Sequence, residues 1–283
     1  MIALSGKARL AGVMGWPVAH SRSPRLHGYW LAHHRIDGAY VPMAVRPERI
    51  GEALRALPVL GFKGANLTLP HKESALSHVD TPSPTARRIG AVNTIMVGPH
   101  GELLGDNTDA FGFIEHMNAS APNWRQAGRP AVVIGAGGAA RAVSVALLDA
   151  GVTELRLINR TEARAVALAE ALGPGLSVVP WHKRHTALEG AGLLVNTTSL
   201  GMAGHEPLEL ELNALPRDAV VDDLVYAPLE TALLKAARAR GHRTVDGLGM
   251  LLHQARPGFE AWFGVAPTVT AELRTFVLQD LAG

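Results

Sequence analysis

The stretch AVVIGAGGAARAV, residues 131–143, decides the fold of this chain. Its first four residues are apolar and mostly β-branched and predict a buried strand, and the alanine-rich residues after the glycines predict a helix through Ala150. Gly135, Gly137 and Ala140 fill the G-x-G-x-x-G/A spacing, whose small residues let backbone approach a diphosphate and let the helix pack on the strand. Amides at the start of such a helix bind phosphate groups. The stretch therefore predicts a dinucleotide-binding α/β domain.

The residues after the next strand, predicted at 154–158, indicate which dinucleotide binds. An NAD site places Asp or Glu there to accept from the ribose 2′-hydroxyl, whereas this chain has the neutral Asn159 followed by Arg160. Arg160 and Arg164 lie one helical turn apart, beside a helix start that Thr161 can cap, so both guanidinium groups can bind one phosphate. This pattern predicts NADP rather than NAD. The alternative is a pair of solvated arginines on a helix face.

Composition limits the classes of function. The chain has 283 residues, which suggests about two domains, and its 47% hydrophobic and 18% charged residues are typical of a soluble globular protein. A net charge of +2 indicates neither a nucleic-acid partner nor a membrane surface. Cysteine is absent, which excludes disulfides and thiolate chemistry and favours a cytoplasmic location. We expect no secretory signal peptide. We also expect no membrane-spanning helix, because such a helix needs a run of about 20 apolar residues.

Strands and helices alternate before the glycine-rich stretch and predict a first α/β domain. Strands are predicted at residues 8–14, 39–44 and 63–69, helices at 23–34, 47–57 and 81–90, a hairpin at 92–97 and 102–104, and a linking helix at 110–118. Ser23 is the expected N-cap of the first helix, with Pro24 at its first position.

The alternation continues after residue 161. Helices are predicted up to residue 172 and at 228–240, 247–263 and 267–281, and strands at 176–179, 192–196 and 219–222. His182 and His185 have a spacing that could bind a metal, but no acid or third histidine accompanies them. We therefore expect a surface turn there and no metal site.

Short polar residues occur where the strands of the first domain end. Because α/β sheets bind ligands outside the carboxyl ends of their strands, we expect these side chains to line one crevice. Together they suit a small ligand with several hydroxyls and a carboxylate, although each alone could be a cap or turn residue. They are Ser21, Ser23, Asn66, Thr68, Asn93 and Thr94.

Lys72 and Asp109 are the ionisable residues that stand out. Lys72 follows a strand that faces the expected crevice, and Asp109 ends the loop where the two domains join. Reduction of a ketone by hydride builds negative charge on oxygen, so a lysine held by a carboxylate can donate the proton. The alternative is a surface lysine and an N-cap aspartate.

Several motifs occur in a fixed order along nearly the whole chain. They are GWPVAHSRSPRLH (15–27), NLTLPHK (66–72), GAVNT (90–94), GDNTDAFG (105–112), GAGGAA (135–140), NRTEAR (159–164), NTTSLGM (196–202), DLVYAP (223–228) and GLGMLLHQ (247–254). In this order they resemble the shikimate dehydrogenase family. Gly28 stands where the family usually has Asn, and His71 replaces an aromatic residue.

The resemblance implies a role for each matching residue. Lys72 would be the general acid and base, and Asp109 would orient both the lysine ammonium and a substrate hydroxyl. Ser21 and Ser23 would hold the substrate carboxylate, and the remaining substrate contacts would be Asn66, Thr68, Asn93, Tyr226 and Gln254. The cofactor contacts would be Gly135, Ala136, Gly137, Gly138, Ala139, Asn159, Arg160, Thr161, Arg164, Thr197, Leu224 and Gly247.

The implied architecture has two α/β domains. Residues 1–110 would bind substrate, 111–247 would form a Rossmann domain that binds NADP, and helices in 248–283 would return to the first domain, with a cleft that closes over both ligands. The expected activity is the NADPH-dependent, reversible reduction of 3-dehydroshikimate to shikimate, by a monomer or homodimer. The alternatives are a quinate/shikimate dehydrogenase of relaxed preference and a non-catalytic NADPH-binding sensor.

Overall fold

The structure is a computed structural model and describes residues 4–126 and 128–279. It divides into two compact units, one formed by the chain up to Thr108 together with the chain from Leu251, and the other by Asp109–Met250. Each unit contains a six-stranded sheet with helices, so the predicted α/β class is confirmed. The expected limits, after residues 110 and 247, differ from these by a few residues.

The first unit is built on a mixed sheet. Its strands are β1 (Arg9–Gly15), β2 (Gly38–Ala44), β3 (Phe62–Leu67), β4 (Thr81–Pro82), β5 (Thr94–Val97) and β6 (Leu103–Asp106), and its first helices are α1 (Ser23–His33), α2 (Ile50–Val59) and α3 (Pro84–Ile89). The strand order is β2-β1-β3-β5-β6-β4. The three strands β2, β1 and β3 are parallel, whereas β5 is antiparallel to both β3 and β6. The end of β3 therefore lies beside the start of β5.

The second unit has an entirely parallel sheet. Its strands are β7 (Ala131–Ile134), β8 (Leu155–Ile158), β9 (Leu176–Val179), β10 (Leu193–Asn196), β11 (Val220–Asp223) and β12 (Arg243–Asp246), and its helices are α4 (Asp109–Ser120), α5 (Gly138–Asp149), α6 (Glu162–Leu172) and α7 (Ala232–Ala239). The strand order is β9-β8-β7-β10-β11-β12. The chain adds strands on one side of β7 up to β9 and then on its other side from β10 to β12, so the strand order reverses between β7 and β10. Doubly wound sheets bind dinucleotides at this reversal.

Two further helices end the described chain, α8 (Gly247–Phe263) and α9 (Ala271–Leu278). The indole of Trp262 on α8 donates from Nε1 to the carbonyl of Ile95, 2.9 Å away. A β-carbon on Gly64 would lie 2.3 Å from that same indole nitrogen, so the bare glycine makes room for it. None of the helices in the described ranges is both long enough and apolar enough to cross a membrane.

Several predicted boundaries are wrong. The helix predicted from residue 228 begins at Ala232, because Thr231 caps it through Leu234 N, and the last helix begins at Ala271 for the same reason, with Thr270 as its cap. The predicted end of that helix at residue 281 lies outside the described residues. Strands β4 and β12 were not predicted. Both are short, and β12 has only Val245 as an apolar residue, which leaves no hydrophobic pattern to detect.

Candidate active site

The turn between β7 and α5 requires glycine at its first position. Gly135 has a φ of +120°, and a β-carbon there would lie 2.3 Å from Thr197 Oγ1. Thr197 is held in place by two bonds to Ile134 O, from its amide at 2.9 Å and from its hydroxyl at 2.7 Å. The end of β10 therefore packs directly on the glycine turn, at the reversal of the strand order.

The start of α5 suits a diphosphate. The helix begins at Gly138 with Gly137 as its N-cap, and neither a side-chain cap nor an acidic residue occupies its first turn. A β-carbon on Gly137 would meet no heavy atom within 4 Å, so the turn borders open space. Ala136 and Ala139 complete the backbone of the turn. The amide groups of this helix end and its partial positive charge are favourable for an anion.

The segment after β8 presents two cations to solvent. Arg160 and Arg164 are both exposed, on either side of the start of α6. Asn159 Nδ2 donates to Thr161 O at 2.8 Å, which folds this loop back on itself. Thr161 occupies the N-cap position, but its side chain makes no capping bond, so the expected cap is wrong.

The ends of β10, β11 and β12 meet through the backbone. Leu224 N donates to Asn196 O at 3.0 Å, and a β-carbon on Gly247 would lie only 2.1 Å from Leu224 O. Only glycine fits at position 247. Tyr226, which lies two residues after Leu224 in the loop that follows β11, is half-buried.

Asp223 and Asp222 end β11 as buried carboxyl groups. Asp223 accepts from Asn196 Nδ2 at 2.9 Å and from Thr231 Oγ1 at 2.6 Å, yet burial raises its pKa to about 6. Burial also raises the pKa of Asp222 well above its ordinary value, and the carboxyl groups of Asp223 and Asp246 raise it further. The Asp222 carboxyl group therefore keeps its proton to a higher pH in the folded protein than in the unfolded chain.

Five buried polar side chains form a network in the first unit, where β3 ends and β5 begins. Asn66 Nδ2 donates to Thr94 Oγ1 at 3.1 Å and to the carbonyl of Asn93 at 3.1 Å. Asn93 Oδ1 accepts from Thr94 Oγ1 at 2.9 Å and from the Thr108 amide at 2.8 Å. Asn93 Nδ2 donates to Gln254 Oε1 at 3.2 Å, which brings in α8. We name these five residues the amide network.

The serine segment before α1 differs from its prediction. The helix begins at Ser23 itself, with Arg22 as its N-cap, so Ser23 is not the cap that we expected. Its amide donates to Ser21 Oγ at 3.3 Å, and its side chain is buried. Burial raises the pKa of the Tyr40 phenol, and the nearby Ser23 side chain lowers it. The Ser23 side chain is thus turned towards the interior of the unit rather than towards the end of its own helix.

Lys72 is half-buried and its backbone is held on both sides. Its carbonyl accepts from Val92 N at 2.7 Å, and the preceding residue, His71, is fully buried. Because Val45 O can only accept, His71 Nε2 carries the proton in their 2.9 Å bond, and burial lowers the pKa of His71. His71 thus fills an apolar position and adds a hydrogen bond. The backbone carbonyl of Thr68 accepts from the His71 amide, and this bond closes the turn.

Asp109 is buried as the first residue of α4, in the second unit.

Of the predicted site residues, the structure brings Asn66, Asn93 and Gln254 together within the first unit. Thr108 and Tyr40 were not among the predicted site residues. Thr108 was detectable as part of the motif GDNTD, whereas Tyr40 lies in β2 with no motif around it.

His182 and His185, whose spacing could bind a metal, both lie in the described part of the second unit. His185 Nδ1 accepts from the Glu211 amide at 2.9 Å, so it has a structural contact in its turn, and His182 is exposed. Over residues 4–126 and 128–279, no group of three or more His, Cys, Asp or Glu could hold a metal ion.

Comparison with known proteins agrees with the motif pattern. A family model described as the shikimate dehydrogenase substrate binding domain matches residues 13–95, and one described as shikimate / quinate 5-dehydrogenase matches residues 119–203. A shikimate dehydrogenase (NADP(+)) from Rhodospirillum rubrum is 61% identical over 279 residues, covering 97% of this chain and 99% of the relative.

Solved structures are similar over almost the whole chain. Shikimate 5-dehydrogenase from Thermus thermophilus, in complex with NADP(H) and shikimate, is 39% identical with a TM-score of 0.84, covering 97% of this chain and 98% of that one. Quinate dehydrogenase from Corynebacterium glutamicum, in complex with NAD, is 33% identical with a TM-score of 0.89, covering 96% and 99%. The predicted resemblance is confirmed, and the chain belongs to the shikimate dehydrogenase family.

Proposed function

We infer that this protein is an oxidoreductase that catalyses the NADP-dependent, reversible reduction of 3-dehydroshikimate to shikimate, within the biosynthesis of chorismate and the aromatic amino acids. The observation that carries the inference is the 61% identity to a shikimate dehydrogenase (NADP(+)) over nearly the full length of both chains. The amide network supports it, since a polyhydroxylated ring requires neutral donors and acceptors in fixed directions.

We propose that the first unit binds the substrate at the carboxyl ends of its parallel strands. Ser21 and Ser23 hold the carboxylate, and the half-buried Thr68 contacts a ring hydroxyl together with Asn93 and Gln254. Tyr226 adds a further substrate contact. Asn66 already gives both Nδ2 hydrogens to the network, and its Oδ1 accepts from the Tyr40 hydroxyl, so one Oδ1 lone pair is what it offers to a ligand.

Lys72 is the proposed general acid. NADPH, when bound, supplies the hydride to the carbonyl carbon. The Lys72 ammonium donates a proton to the carbonyl oxygen, which becomes the hydroxyl of shikimate, and Lys72 takes the proton back in the oxidation. Two bonds favour this role because they restrain the backbone at Lys72: Val92 N donates to Lys72 O, and the side chain of the preceding His71 donates to Val45 O. Asp109 is proposed to orient a substrate hydroxyl.

The residues of the second unit fit NADP. The uncapped start of α5, from Gly135 to Ala139, binds the diphosphate, and the exposed Arg160 and Arg164 bind the 2′-phosphate, with Asn159 and Thr161 beside them. Thr197, Leu224 and Gly247 line the cofactor at the ends of the neighbouring strands. The open space beside Gly137 favours this proposal.

An absorbance assay at the reduced-nicotinamide band tests the function. Shikimate and quinate are each offered with NADP and with NAD, and we expect shikimate with NADP to give the highest kcat/KM by at least about tenfold. A protein that binds NADPH but oxidises neither substrate would be a sensor, and the proposed activity would be wrong.

A quinate/shikimate dehydrogenase of relaxed preference is the second candidate. The similarity to quinate dehydrogenase from Corynebacterium glutamicum favours it. Comparable kcat/KM values for quinate and shikimate in the same assay would establish this candidate. The cytoplasmic location and the oligomeric state, monomer or homodimer, stay predictions.

A further inference from the structure

The phenol of Tyr40 lies between the serine segment and the amide network. Tyr40 belongs to β2, is only 7% exposed, and is not part of any motif described above. Its hydroxyl donates to Asn66 Oδ1 at 2.6 Å. Burial raises the pKa of this phenol, and the nearby Ser23 side chain lowers it. The phenol thus holds Asn66 of the network close to a proposed carboxylate-binding serine.

The ring of Tyr40 is held by an unusual neighbour. His27 is fully buried and stacks on Tyr40 with ring centroids 3.9 Å apart and planes 2° from parallel. Phe259 and Trp262 also lie within 6 Å of the imidazole, and neither of its nitrogens has a hydrogen-bond partner among the described residues. Burial lowers the pKa of His27 to about 3, so the imidazole stays neutral. His27 therefore acts as a neutral aromatic ring whose stacking fixes the plane of the phenol.

The Tyr40 hydroxyl decides how Asn66 is oriented. Because a carbonyl oxygen can only accept, the phenol must donate in its bond to Asn66 Oδ1. This bond turns the amide nitrogen towards Thr94 and the carbonyl of Asn93, where both of its hydrogens are used. A flipped amide would present hydrogens to the phenol and leave an oxygen facing the Asn93 carbonyl.

We propose that Tyr40 is a positioning residue for substrate binding, which orients the Asn66 side chain within the amide network. This inference rests on the proposed function, in which this network binds the substrate. It assigns a role to a strand residue that is outside the proposed catalytic and cofactor-binding residues, so its effect should be confined to the affinity for shikimate.

Tyr40→Phe tests the inference because it removes the hydroxyl and keeps the stacked ring. We expect KM for shikimate to rise about tenfold, with KM for NADP unchanged and kcat changed less than KM, since a buried acceptor loses its donor. Tyr29→Phe is the matched control. Tyr29 is half-buried on α1 with its ring 5.3 Å from Phe276, and its loss of a hydroxyl should change neither constant.

A double-mutant cycle separates positioning from simple destabilisation. Asn66→Ala and Tyr40→Phe should together raise KM for shikimate by less than the product of their separate effects, because both break the same bond. Unchanged KM in Tyr40→Phe, multiplicative effects, or equal loss of NADP affinity would overturn the inference, and so would failure of Tyr40→Phe to fold when Tyr29→Phe folds. A wild-type protein without shikimate turnover would instead overturn the proposed function.

Discussion

Thr197 Oγ1 occupies the space that a β-carbon on Gly135 would need, at a separation of 2.3 Å. The two residues follow neighbouring strands, β7 and β10, and both strands end where the strand order of the second unit reverses. Position 135 is thus restricted twice, by its left-handed φ of +120° and by a neighbouring strand end. The first prediction follows from this restriction.

Gly135→Ala should weaken NADP binding while leaving the first unit intact. A residue with a β-carbon at this φ costs about 1–3 kcal/mol, and Thr197 must also move. We expect Kd for NADP, measured by quenching of tryptophan fluorescence, to rise at least about tenfold. Gly28→Ala is the control, because Gly28 is exposed on α1 and a β-carbon there meets no atom within 4 Å. Equal NADP affinity in both variants would contradict the assignment of this turn.

The arginine pair should decide the cofactor preference. Replacing both Arg160 and Arg164 by Ala removes two exposed charges proposed to bind the 2′-phosphate. KM for NADP should rise at least about tenfold and KM for NAD should change little, so the ratio of the two measures the effect. Arg49→Ala, which breaks an exposed pair with Glu52, is the control for loss of a surface charge. A similar rise in the KM values for NADP and NAD would mean that Arg160 and Arg164 do not recognise the 2′-phosphate.

Lys72→Ala should lower kcat far more than it weakens shikimate binding. The loss of a general acid costs about 10²–10⁴-fold in rate, whereas the amide network that we propose to bind the ring stays in place. Steady-state kinetics gives kcat, and a shikimate titration gives the affinity. Lys235→Ala, an exposed lysine on α7, should behave as wild type. Equal losses in rate and affinity would exclude Lys72 as the general acid.

Asp222 makes stability depend on pH. Its pKa is raised in the folded state, so the unfolded chain releases this proton at lower pH than the folded protein does. The Asp222 contribution to the free energy of unfolding therefore falls as pH rises above about 4, by at most about 1.4 kcal/mol per pH unit. Asp223 acts in the same direction between about pH 4 and its pKa of about 6.

Asp222→Asn should remove this dependence with an isosteric side chain. Its Tm relative to wild type should increase from pH 5 to pH 8, as measured by calorimetry. Asp218→Asn is the control, since the exposed Asp218 has a lowered pKa through its bond to Arg129 and is ionised over this range in both states. A constant difference in Tm between Asp222→Asn and wild type would show that Asp222 is ionised when folded.

The strongest signals in the sequence were local ones. The glycine turn at Gly135 and the strands on either side of it were predictable, because a strained φ and a buried parallel strand both restrict residue type strongly. The amide network was predictable in part. Asn66, Asn93 and Gln254 lie in motifs, but their hydrogen bonds depend on the register of β3 against β5 and on the return of α8, which no local pattern reports.

Other features depended on tertiary contacts that leave no local trace. Ser23 has the sequence of a helix cap, yet α1 begins at Ser23 itself and its side chain is buried. Tyr40 itself reads as an ordinary strand residue, because its importance comes from contacts with residues far along the chain. Strand β12 is completed by its neighbour β11 rather than by its own apolar residues.

The bond between Asn93 Nδ2 and Gln254 Oε1 also has a consequence for how the molecule is made. On the ribosome, Asn66 and Asn93 emerge early, while Gln254 is added only after the whole second unit has been synthesised. The polar cluster is therefore incomplete throughout most of translation. A chain that stops before α8 contains every strand of the second sheet but lacks Gln254, so it could not complete the surface that we propose to bind the substrate ring.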